Sequence, residues 1–276
     1  MRQERVMIPG PFGAQVALDV YVANVSKEID PDVRRPALMI CPGGGYRFLS
    51  ERESEPIAMR FLPEGFNCFV VWYTPDPADA LLPRREIGAA VAWVREHAEE
   101  LHTNPDAIAL IGFSAGAHAA GSLGVCWHQQ ELWQPMGLTA QQVKPNAMVL
   151  CYPVITAGPY AHRGSLCHLT QTDDLLEHEK HSLEKLVTAD CPPTFLWHTM
   201  DDSDVPMENS LLMAAALHKA GVPGELHVYP SGIHGLSLCN VTNATKGQED
   251  KQLRPDIEPW AGLAAAFLKK QMKVMP

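Results

Sequence analysis

The segment Gly112-Phe113-Ser114-Ala115-Gly116 follows the apolar run Ala107-Ile108-Ala109-Leu110-Ile111 and leads into a stretch of small residues. A serine between two close glycines, at the joint of a strand and a helix, has the form of a nucleophile elbow. The first glycine leaves room for a sharp turn, and the second lets the helix pack closely beneath the serine. Serine attacks poorly unless a base takes its proton, an acid orients that base and N–H donors receive the oxyanion of acyl transfer. The chain holds a candidate for each part. His234 lies in Pro230-Ser231-Gly232-Ile233-His234-Gly235-Leu236, just past an apolar segment and on a loop loosened by two glycines. Met200-Asp201-Asp202-Ser203-Asp204-Val205-Pro206 offers three carboxylates. One can accept an imidazole proton and another can cap the following helix, and spacing alone does not choose between them. Cys41-Pro42-Gly43-Gly44-Gly45-Tyr46 closes another apolar run, and its glycines expose backbone N–H groups that would join that of Ala115 around an oxyanion. No Lys-Ser/Thr pair follows these glycines and position 48 is Phe, so they match neither a phosphate loop nor a dinucleotide fingerprint.

These candidates need a frame, and the apolar pattern supplies one. Strands are expected at 14–22 (a leading edge strand), 36–41, 66–73, 107–111, 147–152, 193–198 and 224–229. Helices are expected at about 56–61, 85–101, 115–125, 210–220 and 257–272. Residues 87, 91, 94 and 98 carry the 3.6-residue period of the second helix, and Gly221 suits the C-terminal stop of the fourth. Alternation of buried strands with helices predicts an α/β protein whose mostly parallel central sheet is flanked by helices on both faces. Each candidate then falls just beyond a strand, at the carboxyl end of the sheet where open parallel sheets place their ligands. Residues 156–189 break the pattern, being polar and histidine-rich with a helical portion near 174–187. The expectation is a single domain over 1–276 with this small insertion over its active-site end.

The hydrophobic fraction of 46% excludes wholesale disorder, and 276 residues can bury a large core. A net charge of −10 with scattered basic residues gives no track for nucleic acid. No stretch reaches the roughly 18 apolar residues of a membrane span. Seven cysteines without a C-x-x-C pair, and a start lacking an apolar leader, lead us to expect free thiols and a cytoplasmic location.

With glycine loop, serine elbow, aspartate loop and His-Gly in that order, nearly the whole chain resembles the α/β-hydrolase superfamily. The resemblance is strongest to its small acetyl-esterase and acetylxylan-esterase-like group, related to the hormone-sensitive-lipase-like esterases. It implies an α/β-hydrolase fold and a serine carboxylic-ester hydrolase that needs no cofactor and removes short acyl groups, acetyl above all, from sugars or xylo-oligosaccharides. It assigns Ser114 as nucleophile and His234 as base. Counting back from Val205 as in relatives selects Asp202 as the acid. The backbone N–H groups of Gly43 or Gly44, with that of Ala115, would form the oxyanion hole. Gly45 would support the loop, while Tyr46, Arg47, Tyr73 and Tyr160 would supply rings and hydrogen bonds to a sugar-like leaving group. Pro42 stands where the hormone-sensitive-lipase-like group has histidine, so the loop must be braced from elsewhere. His162, His168, His178 and His181, with Asp173, Asp174 and Glu177, invite a metal reading, but the H-E-x-x-H pattern is missing and a serine triad needs no metal. Two alternatives stay open: a serine peptidase of the same fold, and a non-catalytic α/β module that binds a small ligand. Homo-oligomer formation through the terminal helix or the strand at 14–22 also stays open.

Overall fold

The computed structural model describes residues 1–274. Its strands are β1 (Arg2–Pro9), β2 (Gln15–Val22), β3 (Arg35–Cys41), β4 (Asn67–Trp72), β5 (Thr103–Phe113), β6 (Ala147–Cys151), β7 (Thr194–Thr199) and β8 (Gly224–Tyr229). They form one sheet in the order β1-β2-β4-β3-β5-β6-β7-β8. The first two pairings in that order are antiparallel and all the others parallel. The helices are α1 (Glu55–Phe61), α2 (Leu82–Glu96), α3 (Ala115–Cys126), α4 (Ala140–Val143), α5 (Arg163–Thr170), α6 (Leu175–Glu179), α7 (Glu208–Lys219), α8 (Glu249–Gln252) and α9 (Trp260–Gln271).

The central strands are apolar throughout because both faces are covered. In β3, Met39 and Cys41 join a core with Val91 of α2, Leu123 of α3 and Met213 of α7. Leu38 and Ile40 point the other way, into a core with Phe61 of α1 and Trp260 and Leu268 of α9. From β3 the order runs outward in both directions, to β4 on one side and β5 on the other. This is the switch point at which loops diverge and leave a crevice. Cys41 pairs with Gly112, so the glycine loop and the serine turn leave the sheet side by side.

Three departures from the sequence expectations have local causes. The strand at 14–22 is not an edge, because β1 covers it along its full length and Arg5 pairs with Asp19 across the ladder. Charged residues hid β1 as a strand, and such residues suit an edge that must not recruit another sheet. That removes the 14–22 strand as a docking edge for a second subunit. Helix α2 begins at Leu82 because Pro83 is tolerated in a first turn, and it stops at Glu96. The helix expected near 174–187 is only α6, capped by Asp174, followed by a short 3-10 turn at Leu183–Lys185. The chain breaks there because Leu183 is buried against Gly121 of α3 and the Ser182 hydroxyl accepts the Ala157 N–H. Helix α5, capped by His162, had no clear periodic signal. Among the described residues no helix is long and apolar enough to cross a membrane.

Candidate active site

Ser114 joins β5 to α3 with φ 54° and ψ −118°. A non-glycine residue in that region costs on the order of 1–3 kcal/mol and persists only where the surroundings impose it. Its N–H donates to the Cys151 carbonyl at 3.0 Å and its carbonyl accepts the His118 N–H at 3.2 Å. The glycines of the turn are needed for close approach. A Cβ on Gly112 would sit 2.4 Å from the Gly116 carbonyl oxygen, and one on Gly116 would sit 2.2 Å from that of Cys41. The second glycine therefore packs α3 against the end of β3 and the start of the glycine loop, a contact that sequence reasoning had placed beneath the serine.

His234 Nε2 lies 2.7 Å from Ser114 Oγ, and its Nδ1 lies 2.7 Å from Asp202 Oδ2. Nδ1–H donates to the carboxylate, which leaves Nε2 as the acceptor facing the serine hydroxyl. Of the three carboxylates in the loop after β7, Asp202 alone contacts the imidazole. Asp201 instead accepts the Gly232 N–H at 2.6 Å and so ties the aspartate loop to the histidine loop. Asp204 is exposed on the rim of the cleft. The buried Asp202 accepts the N–H groups of Asp204 and Val205 through Oδ1, at 3.0 and 2.9 Å. The buried ring of His198 approaches Oδ2 at 3.3 Å while also bonding the Val205 carbonyl and the Ser210 hydroxyl. Burial opposes ionisation of Asp202, but the hydrogen bonds from His198, His234 and the Val205 N–H outweigh it and hold the carboxyl well below the usual range.

The glycine loop after β3 curls over the elbow. Gly43 N–H donates to the buried Glu53 carboxylate at 2.8 Å and so is already committed. Among the described residues, the N–H groups of Gly44 and Ala115 make no hydrogen bond. Gly44, at φ 128°, permits a conformation closed to other residues, and its carbonyl accepts the N–H groups of Arg47 and Phe48. Between Gly43 and Gly44, which the sequence left equivalent, only Gly44 offers a free donor.

A cleft of about 520 Å³ opens above Ser114, lined by Gly44, Gly45, Arg47, Arg52, His162 and His168 among others. Tyr46 and Tyr73, expected to face a leaving group, are instead buried below the loop. Tyr46 donates its hydroxyl to His118 Nδ1 at 2.8 Å, and Tyr73 donates to the Pro42 carbonyl at 2.6 Å. Aromatic rings flanking a glycine loop are drawn inward because their burial anchors it. Tyr160 is 41% exposed and does not line the cleft.

The insertion histidines are used singly. His162 caps α5 through Ser165, His168 pairs with Asp76 at 2.5 Å, His178 bonds the Thr172 carbonyl, and the His181 carbonyl accepts His118 Nε2–H. Among the described residues no group of three or more His, Cys, Asp or Glu side chains is arranged to hold a metal ion. Burial and the neighbouring His234 push the His162 pKa down, so that ring lines the cleft as a neutral group. Burial takes His118 down to about 3. Sequence reasoning missed Glu53, Tyr152, His118 and His198. Only His118 had a signal, being the one ring in a helix of small and apolar residues.

The profile of the BD-FAE family matches residues 18–217. The chain belongs to the BD-FAE family. Endo-1,4-beta-xylanase B of Butyrivibrio fibrisolvens is 38% identical over 216 residues, which cover 76% of this chain and 34% of that protein. The BD-FAE chain thus spans about a third of the length of that relative. A carboxylesterase from Lactobacillus plantarum superposes over all of both chains with a TM-score of 0.89 at 29% identity. An acetyl ester-xyloside bifunctional hydrolase from Caldicellulosiruptor lactoaceticus covers 96% of each chain with a TM-score of 0.79 at 32% identity. The fold is the α/β-hydrolase fold.

Proposed function

We propose that the chain is a serine carboxylic-ester hydrolase that removes acetyl and similarly short acyl groups from sugars or xylo-oligosaccharides. The observation that carries this reading is the unbroken line from Ser114 Oγ through His234 to Asp202, 2.7 Å at each step. In this mechanism Ser114 Oγ attacks the ester carbonyl while His234 Nε2 takes its proton. The carbonyl π electrons move to oxygen, where the Gly44 and Ala115 N–H groups receive the charge. Collapse expels the alkoxide, which takes the proton back from His234 and leaves an acyl-serine. Water then attacks the acyl carbonyl with His234 again as base, releasing the acid and restoring Ser114. Asp202 remains ionised and stabilises the imidazolium formed in both halves.

The cleft supports this substrate class. Arg47, Arg52, His162, His168 and Asp204 line it with groups suited to hydroxyls, beside the ring of Phe48. The neighbour from Caldicellulosiruptor lactoaceticus, an acetyl ester-xyloside hydrolase, points the same way. The single continuous sheet supports one catalytic domain over 1–276, with 156–189 an insertion at the cleft. The seven free cysteines support a reducing compartment such as the cytoplasm.

Turnover of p-nitrophenyl acetate, butyrate and octanoate by wild type and Ser114→Ala tests the reaction. Activity that collapses in the variant and declines with chain length is expected. Equal activity in both proteins overturns the serine mechanism, and highest kcat/KM on octanoate overturns the short-acyl preference. Acetate release from acetylated xylo-oligosaccharides, set against acetylated peptides, tests the leaving group.

A further inference from the structure

The buried carboxylate of Glu53 has no part in the proton-transfer line, yet it sits at the centre of the site's hydrogen bonding. Only 4% of the residue is exposed. Oε2 accepts the Gly43 N–H at 2.8 Å, and Oε1 accepts the Tyr152 hydroxyl at 2.6 Å. Tyr152 Oη in turn accepts the Ser237 N–H at 3.0 Å, three residues beyond His234. The Tyr152 ring also meets the His234 ring edge-on, with centroids 5.1 Å apart. Arg52, the residue before Glu53, donates to the Gly235 carbonyl at 3.0 Å and the Asn243 carbonyl at 2.7 Å. The Ser237 hydroxyl donates back to the Arg52 carbonyl at 2.9 Å. Residues 52 and 53 thus tie together the glycine loop and the histidine loop, which the fold brings in from opposite ends of the chain.

A buried carboxylate is costly, and a full set of hydrogen bonds only partly offsets the cost. Such a group is retained where it fixes a geometry that apolar packing would leave loose. Here the geometry is that of the two peptide groups on either side of Gly43. Gly43 is held through its N–H by Glu53 and through its carbonyl by the Ser50 N–H at 3.0 Å. A Cβ on Gly43 would lie 2.6 Å from the Phe113 carbonyl oxygen and 2.7 Å from Glu53 Oε2, so glycine is demanded by the backbone of β5 as well as by the carboxylate. The next N–H along, that of Gly44, makes no hydrogen bond among the described residues.

We propose that Glu53 is a positioning residue that sets the Gly44 N–H as an oxyanion donor and, through Tyr152, holds the histidine loop in register with it. The proposal rests on the ester-hydrolase reading. It also supplies the brace that the resemblance left open where Pro42 replaces histidine. Glu53 touches no reacting atom, so its removal should weaken binding of the transition state and leave the ground state nearly alone.

Glu53→Ala, Glu53→Gln and Tyr152→Phe would be compared with wild type and Ser114→Ala on p-nitrophenyl acetate. Affinity for a short trifluoromethyl ketone, which adds to serine as a tetrahedral oxyanion, and thermal melting would be measured alongside. Glu53→Ala should lower kcat by about 10²-fold, the scale of one lost oxyanion donor, with KM within about threefold. Its ketone affinity should fall by the same factor as kcat. Glu53→Gln retains a carbonyl oxygen for the Gly43 N–H and should recover part of both losses. Tyr152→Phe should lose less than Glu53→Ala. Should Glu53→Ala fail to fold, Glu53→Gln and Tyr152→Phe decide the matter on the same two readouts. Wild-type kcat and ketone affinity in the folded variants, or a loss confined to KM and melting temperature, would overturn the proposal while Ser114-dependent turnover stood. Turnover equal in wild type and Ser114→Ala would overturn the ester-hydrolase reading and this proposal together.

Discussion

Asp202 and Glu53 are both buried carboxylates within reach of the His234 loop, and their surroundings push them in opposite directions. Asp202 gathers two backbone N–H groups and two imidazole rings, and the carboxyl is held well below its ordinary range despite burial. Glu53 has one N–H and one hydroxyl, so burial dominates and its pKa is raised. At Asp202 the number and charge of donors outweigh desolvation, and at the more deeply buried Glu53 they do not. The contrast matches the role proposed for each. A carboxylate that must stabilise an imidazolium needs a permanent charge, whereas one that holds a loop needs lone pairs aimed at fixed donors. In the proposed mechanism these two acidic residues serve one site in separate capacities, the first through charge and the second through geometry.

The contrast can be broken at several points. The largest effect belongs to the group both carboxylates serve: Ser114→Ala should lower kcat by roughly 10⁶-fold, measured on p-nitrophenyl acetate. Asp202→Asn should come next, at roughly 10⁴-fold in kcat, because the amide favours the wrong imidazole tautomer. Asp201→Asn and Asp204→Asn should each stay within about tenfold of wild type, because neither touches the ring; steady-state kinetics on all three would reassign the acid if Asp202→Asn kept its rate. Gly44→Ala should cost about 10²–10³-fold in kcat. The substitution forces a side chain into φ 128° and toward the Phe48 carbonyl, 2.1 Å from the new Cβ, so the donor that Glu53 is argued to set would be displaced.

The smallest and most discriminating effect is on stability against pH. The folded pKa of Asp202 lies below the unfolded value of about 3.8, so its contribution is present above that pH and is lost as pH falls further. The folded pKa of Glu53 lies above about 4.5, so its contribution is present below that pH and is lost as pH rises through the folded value. In melting curves from pH 3 to 8, the deficit of Asp202→Asn relative to wild type should shrink toward the acid end. Glu53→Gln should improve relative to wild type as pH rises. Parallel slopes for the two variants would remove the electrostatic distinction.

Much of this protein was legible before its fold was seen. The run from Ala107 to Ile111 reads as a strand because both faces of β5 are covered, and the small residues after Ser114 read as a helix able to lie close to the sheet. Ser114 and His234 stood out because glycines flank them in loops just past apolar strands. β1 was not legible, since its charged residues suit an edge and carry little apolar signal. The breaks within 156–189 were hidden as well, because Leu183 is placed by a gap over Gly121 that exists only once α3 is packed. Tyr46 and Tyr73 were legible as rings near the site, but their inward direction depends on the partners they find at His118 and Pro42.

The amino-acid order by itself determined the strand–helix alternation, the serine at its sharp turn, the histidine and the short list of carboxylates, because periodicity and glycine placement are local properties. Only the tertiary structure singled out Asp202 by contact, committed the Gly43 N–H to a carboxylate and put Glu53 between two loops. Those outcomes depend on which hydrogen-bond donors remain unsatisfied after the chain has closed on itself. The partners concerned lie 32 and 120 positions from His234 and 99 positions apart for Glu53 and Tyr152, distances over which sequence spacing carries no geometric information.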